Sequence, residues 1–243
     1  MSSATRETAA IQTPARPAYE PEQRVLLRGV GWDGYEALLH MVEGGSRHVR
    51  ITYDSGDAEL MSPSRDHERL KSIFGRFMEI LTSRLNLNCE SEGSTTWRRA
   101  LSEKAFDPDE CFFLGDTFDV SGKGYDSERF PPPDLAVEIE LSPASLDRMR
   151  IYAAFGVPEV WRFDGETLAI EHLNDAGSYE RVETSPAFPF LKASDINHWV
   201  LLPQTMRMTE WHHRFEDWVR REFGHYARPR KTYEGPDGPG ARA

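Results

Sequence analysis

Asp134, Glu138 and Glu140 share one side of an alternating run in which Leu135, Val137, Ile139 and Leu141 occupy the intervening positions. Successive side chains of a strand point to opposite faces, so one face is apolar and the other carries three carboxylates. Neighbouring like charges raise each other's pKa unless something positive lies between them. Two readings are open for such a face: a polar surface in water, or a site for a hard divalent cation. A further carboxylate, Asp109, opens the strand-like run Pro108–Leu114, and His67 lies near the start of a long helical pattern. One carboxylate from each of two adjacent strands suits Mg²⁺, which takes oxygens at about 2.0–2.1 Å and usually only one or two carboxylates. Such an ion polarises a phosphoryl oxygen and activates water, and a fixed cation beside it stabilises the charge that grows in the transition state.

The elements that must position these groups follow from periodicity and punctuation. Tyr35, Leu38, Leu39 and Val42 have helical spacing, and Gly44-Gly45 ends that helix. Val49, Ile51 and Tyr53 alternate with Arg50 and Thr52, Asp54–Asp57 is turn chemistry, and Ala58–Met61 returns as the second arm of a hairpin. Ser64 is a candidate N-cap, with Asp66 and Glu68 in the first turn of a helix. Its apolar stripe runs through Leu70, Ile73, Phe74, Phe77, Met78, Leu81 and Leu85. A strand-like run ends at Trp97, residues 98–108 read as polar loop, and residues 115–130 as a Gly- and Asp-rich surface connection. After the acidic strand Ser145 can cap a helix that Gly156 stops. Val157–Phe163 and Leu168–Leu173 form a hairpin around Asp164-Gly165, Tyr179–Phe190 holds one more extended piece, and Met206–Phe223 is a C-terminal helix. Strand, helix, strand with short connections implies an α/β architecture, a layered sheet with helices packed on it.

Composition bounds the function. The 243 residues fit one domain with tails, divided as an N-terminal arm over 1–23, a folded domain over 24–226 and a tail over 227–243. Both ends are expected to be disordered, since neither carries an apolar period. A net charge of −11 argues against broad, nonspecific coating of nucleic acid. Cys89 and Cys111 suggest no disulfide framework and show no metal-ligand spacing. The first residues lack an apolar signal-peptide core, and no apolar run approaches the ~20 residues of a membrane span. The expected setting is cytoplasmic, with no membrane partner.

Several stretches in fixed order resemble one family. These are Pro108-Asp109, Pro133–Ser142, Tyr152 with Gly156–Trp161, Glu59–Pro63 with His67-Glu68-Arg69, and Gly93–Arg99. They are similar to the Uma-type putative restriction endonucleases of the PD-(D/E)XK nuclease superfamily, over roughly residues 30–190. The resemblance implies a central mixed β-sheet flanked by helices, restriction-endonuclease-like. It also implies Mg²⁺-dependent (or Mn²⁺-dependent) cleavage of DNA and a homodimer. In it Asp109 is the acid after proline, Glu138 the second acid, and Glu140 stands where the motif's lysine would be. Asp134, Glu59 and His67 match polar positions around the cavity. The family usually places its lysine on the helix after the acidic strand, four residues before the tyrosine, and that position here is Arg148. Arginine holds a phosphate bidentately and stabilises charge, but it stays protonated at any working pH, so chemistry that needs a neutral amine is lost.

The expectation is therefore a metal-dependent DNA endonuclease. Asp109 and Glu138 ligate the ion with Glu140, Glu59 or Asp134 assisting, Arg148 stabilises phosphoryl charge, and His67 orients a ligand or water. The alternative is a catalytically inactive nucleic-acid- or protein-binding module on the same fold. Basic residues at Arg65, Arg69, Lys71, Arg76, Arg98, Arg99 and toward the C-terminus offer a backbone track on an otherwise acidic body. No helix-turn-helix or zinc-finger spacing specifies a sequence.

Overall fold

A computed structural model describes residues 19–43, 49–115 and 131–229. The expected helix stop at Gly44-Gly45, the connection over 116–130 and most of both terminal segments lie outside the described residues.

The acidic run forms strand β8 (Leu135–Ile139), numbering elements in chain order, and all five of its residues are buried. It belongs to a six-stranded sheet in the order β11-β10-β9-β8-β7-β4. The other members are β4 (Cys89–Ser91), β7 (Glu110–Leu114), β9 (Glu159–Phe163), β10 (Leu168–Leu173) and β11 (Tyr179–Val182). Only β8 and β9 are parallel, as their connection through α3 (Arg148–Phe155) requires, because parallel neighbours need a crossover. One face of this sheet is covered by α2 (Arg65–Leu85), α4 (Ala193–Leu201) and α5 (Met208–Phe223). There Phe74, Phe77 and Leu81 pack with Val137, Ile139, Trp161 and Phe163. On the other face Ile151, Tyr152 and Phe155 of α3 join Ala136 and Val160. A strand covered on both faces is buried throughout, so the reading of Glu138's face as a surface in water does not hold.

A second sheet, fully antiparallel, has the order β1-β3-β2-β6-β5. Its strands are β1 (Gln23–Leu27), β2 (Arg50–Asp54), β3 (Asp57–Ser62), β5 (Trp97–Arg99) and β6 (Lys104–Phe106). Helix α1 (Trp32–Glu43) covers it, Tyr35 and Leu39 meeting Ile51, Tyr53, Ala58 and Ala105. The hairpin turns through Ser55 and Gly56, both at positive φ (50° and 102°), the backbone that suits the twist of a two-residue hairpin. The expected loop over 98–108 is thus two short strands around a 3-10 turn, too brief to show a period. Helix α4, which the sequence pattern does not predict, buries Ile196, Trp199 and Val200 at helical spacing.

Two caps set the helices that matter. Ser64 accepts the His67 amide at 3.2 Å and starts α2, as its sequence suggested. Ser64→Ala is expected to cost about 1 kcal/mol of stability, read from the midpoint of urea unfolding. Helix α3 is capped by Asp147, which accepts from the Arg150 amide at 3.2 Å, not by Ser145. The Ser145 amide instead donates to Glu59. Ahead of residue 24, the Glu20 amide donates to Asp66 at 2.9 Å, and Glu22 is 6% exposed. At the other end Arg228 is tied to the C-terminus of α2 by its amide, 2.9 Å from the Leu85 carbonyl. No helix among the described residues is long and apolar enough to cross a membrane.

Candidate active site

The last registered pair of β7 and β8 is Glu110 with Val137. One residue earlier, Asp109 enters β7 beside Val137, and Glu138 follows Val137 on β8, where the two sheets meet. The Asp109 amide donates to the Val137 carbonyl at 3.1 Å. Asp109 is fully buried: its Oδ1 takes His67 Nε2 at 2.7 Å and the Arg50 guanidinium, and its Oδ2 takes the Ile139 amide. Glu138, 1% exposed, pairs with Arg148 through Oε2 and accepts the Tyr152 hydroxyl through Oε1. Arg148 also donates to Thr52 at 3.0 Å, and Thr52 is the cross-strand partner of Glu59. Glu59 is held by Arg24 at 2.7 Å.

His67 joins two carboxylates. Its Nδ1 lies 2.8 Å from Glu22, opposite the Asp109 contact, and Arg50 Nη1 is 3.0 Å from Nε2. Burial lowers the pKa of His67 against the pull of Glu22. Burial alone would raise Glu22, but hydrogen bonds from His67 and Ser142 outweigh it and bring the carboxyl down to about 2. A carboxyl depressed in the folded state contributes stability that is fully present above its ordinary value of 4.5 and lost as pH falls toward 2. Wild type and Glu22→Gln are therefore expected to differ in stability at pH 6 and to converge near pH 2. Urea unfolding across that range checks it, and curves that stay parallel would contradict the assignment.

Five buried carboxylates thus meet three guanidiniums: Glu22, Glu59, Asp107, Asp109 and Glu138 against Arg24, Arg50 and Arg148. Asp107 enters two residues before Asp109. Its Oδ2 accepts the Ile51 amide at 3.0 Å and Thr96 approaches the carboxyl, but Oδ1 is buried with no hydrogen-bond partner. Burial accordingly raises its pKa. On Arg148, burial would lower the pKa, but the charge of Glu138 holds the guanidinium above its ordinary range. Burial, reinforced by Glu138, raises Tyr152 as well, so its hydroxyl stays a donor.

The structure brings Asp109, Glu138, Glu59, His67 and Arg148 together. Glu140 and Asp134 make none of these contacts. Glu140, just past β8, pairs with Arg162 at 2.8 Å, and its side chain is 20% exposed. Asp134 lies at the far end of β8, where it accepts the Leu114 amide at 2.7 Å. Five residues unforeseen in the sequence complete the cluster: Glu22, Arg24, Arg50, Thr52 and Asp107. No local signal marks Glu22 or Asp107. Arg50 and Thr52 sat on the polar side of an alternating strand, a pattern that does not reveal what covers that side.

Among the described residues no three His, Cys, Asp or Glu side chains converge as a ready metal cage. The donor types nevertheless fit a hard divalent cation, which needs only one or two carboxylates. Asp109 and Glu138 both face Arg50, acids outnumber guanidiniums, and one buried carboxylate oxygen is unsatisfied. A family model described as Uma2, putative restriction endonuclease, matches residues 32–203, well over half of the chain. No curated protein matches it. The matched region holds every cluster residue except Glu22 and Arg24, which β1 and its approach add from outside.

Proposed function

The chain belongs to the Uma2 family of putative restriction endonucleases, and on that premise we propose that it is a metal-dependent DNA endonuclease. The observation that carries this reading is Asp109 at the entry to β7 and Glu138 on β8 gathered around Arg50, with the Arg148 guanidinium fixed on Glu138. Asp109 and Glu138, with Glu59 behind them, would hold Mg²⁺ or Mn²⁺. An ion held there supplies Lewis-acid polarisation of a phosphodiester oxygen.

The protein's own groups do the rest. Arg148 is a permanent cation that faces developing phosphoryl charge and takes no proton. Tyr152 and Thr52 fix its pairing with Glu138. His67, clamped by Glu22, sets the orientation of the Asp109 carboxylate. A cut through both DNA strands calls for two such sites, hence a homodimer on DNA, which sedimentation with and without duplex tests.

Supercoiled plasmid incubated with the protein and Mg²⁺ or Mn²⁺ is expected to become nicked, and EDTA to prevent it. An intact plasmid with both ions would remove the endonuclease reading. One observation favours a second reading, a silent nucleic-acid-binding module: Asp109 and Glu138 are each already neutralised by an arginine. In that case duplex DNA binds equally well with and without EDTA and is never cut.

A further inference from the structure

Arg50 lies where an added cation would have to come. Its Nη1 is on Asp109 and 3.0 Å from His67 Nε2, its Nη2 is 3.3 Å from Glu68, and the charges of Glu138, Arg148 and Asp107 also act on it. The side chain is 7% exposed. A guanidinium cannot shed its proton, so a divalent ion on Asp109 would face a fixed like charge in a poorly screened interior. That repulsion can be relieved only by moving the guanidinium, and a buried charge moved away from its partner is costly unless a new partner receives it.

One receiver is at hand. Asp107 shares the β2 side of the cluster with Arg50, since the Ile51 amide next to Arg50 holds its Oδ2. Its Oδ1 is buried and unpartnered, while Arg50 already acts on the carboxyl through space. Glu68, half exposed, can keep its hold on Nη2 during such a move. We propose that Arg50 is a built-in counter-ion that competes with the divalent cation for Asp109, and that Asp107 Oδ1 receives its guanidinium when the cation binds. Asp107 is then a positioning residue, setting metal affinity without touching the ion. The proposal rests on the metal-dependent reading of the site.

Mn²⁺ titration by calorimetry tests it on wild type, Arg50→Met, Asp107→Asn, the double variant and Asp109→Asn, with circular dichroism confirming the fold of each. Arg50→Met is expected to bind Mn²⁺ at least about tenfold more tightly than wild type, and Asp107→Asn about tenfold more weakly, the range in which groups behind the ligands act. With Arg50 gone Asp107 has nothing to receive, so the double variant should match Arg50→Met within about twofold. If Asp107→Asn weakens binding equally in both backgrounds, Asp107 is a direct ligand and the proposal falls. It falls too if Arg50→Met binds no more tightly. Asp107→Asn keeps the side-chain shape, so unchanged Mn²⁺ affinity in that variant overturns the proposal even if Arg50→Met does not fold. Asp109→Asn separates the two levels: Mn²⁺ binding that ignores this change removes the metal reading itself.

Discussion

Arg148→Met is expected to lower the free energy of unfolding by about 3–5 kcal/mol, because it leaves a carboxylate buried without its counter-charge. Glu138 is 1% exposed and Arg148 4%, so water cannot take over the lost pairing. Tyr152 would remain as a neutral donor to one oxygen. Arg50, which acts on Glu138 through space, offsets part of the loss and pulls it toward the lower end of that range. The double change Arg148→Met with Glu138→Leu removes both charges at similar volume, and such apolar replacement of a buried pair is often neutral or stabilising. It should therefore return most of the stability while leaving no activity. Urea unfolding of the three proteins reads both values. A single-variant loss below about 1 kcal/mol, the ordinary range of point mutations, would mean that Glu138 finds its counter-charge elsewhere. Recovery in the double variant would also show why such a pair is kept: folding does not need it, so the requirement comes from function.

That contrast bears on what could be read without coordinates. The stripe of α2, its Ser64 cap, the β2–β3 hairpin and the helix of Trp211 and Phe215 are local patterns, and the structure has all of them. Asp109 and Glu138 were legible because proline and strand punctuation sit beside them. Arg50 and Thr52 were visible as the polar half of a strand. Such a half is normally wet, and it is dry here only because α3 and the entry to β7 close over it. Glu22 lay in a segment with no period at all, and its partners His67, Leu141 and Ser142 are distant in the chain. Glu140 shows the converse case. Alternation places it on the side of Glu138, but β8 ends at Ile139 and its carboxylate pairs with Arg162. Buried charge is placed by its long-range partners, and a single sequence carries no trace of those.

Asp109→Asn separates these assignments most sharply. Both carboxylate oxygens are engaged, by His67 and Arg50 on one side and by the Ile139 amide on the other. An amide keeps one acceptor and must aim its own N–H₂ at one of those groups. It also loses the charge that both a divalent cation and Arg50 require. Plasmid nicking by Asp109→Asn is expected to fall by about a hundredfold or more, the scale seen when one preorganised charge-stabilising group is removed. Glu140→Gln serves as the matched control. It makes the same chemical change one strand-step beyond Ile139, on a carboxylate paired with Arg162, and nicking should stay within about threefold of wild type. Thermal melts run alongside separate lost chemistry from lost folding, since Arg50 keeps Glu68 in the Asp109 variant. If Asp109→Asn nicks like wild type, or if Glu140→Gln falls as far, then the reacting centre is not where the two sheets meet. The buried cluster would in that case be a structural device alone.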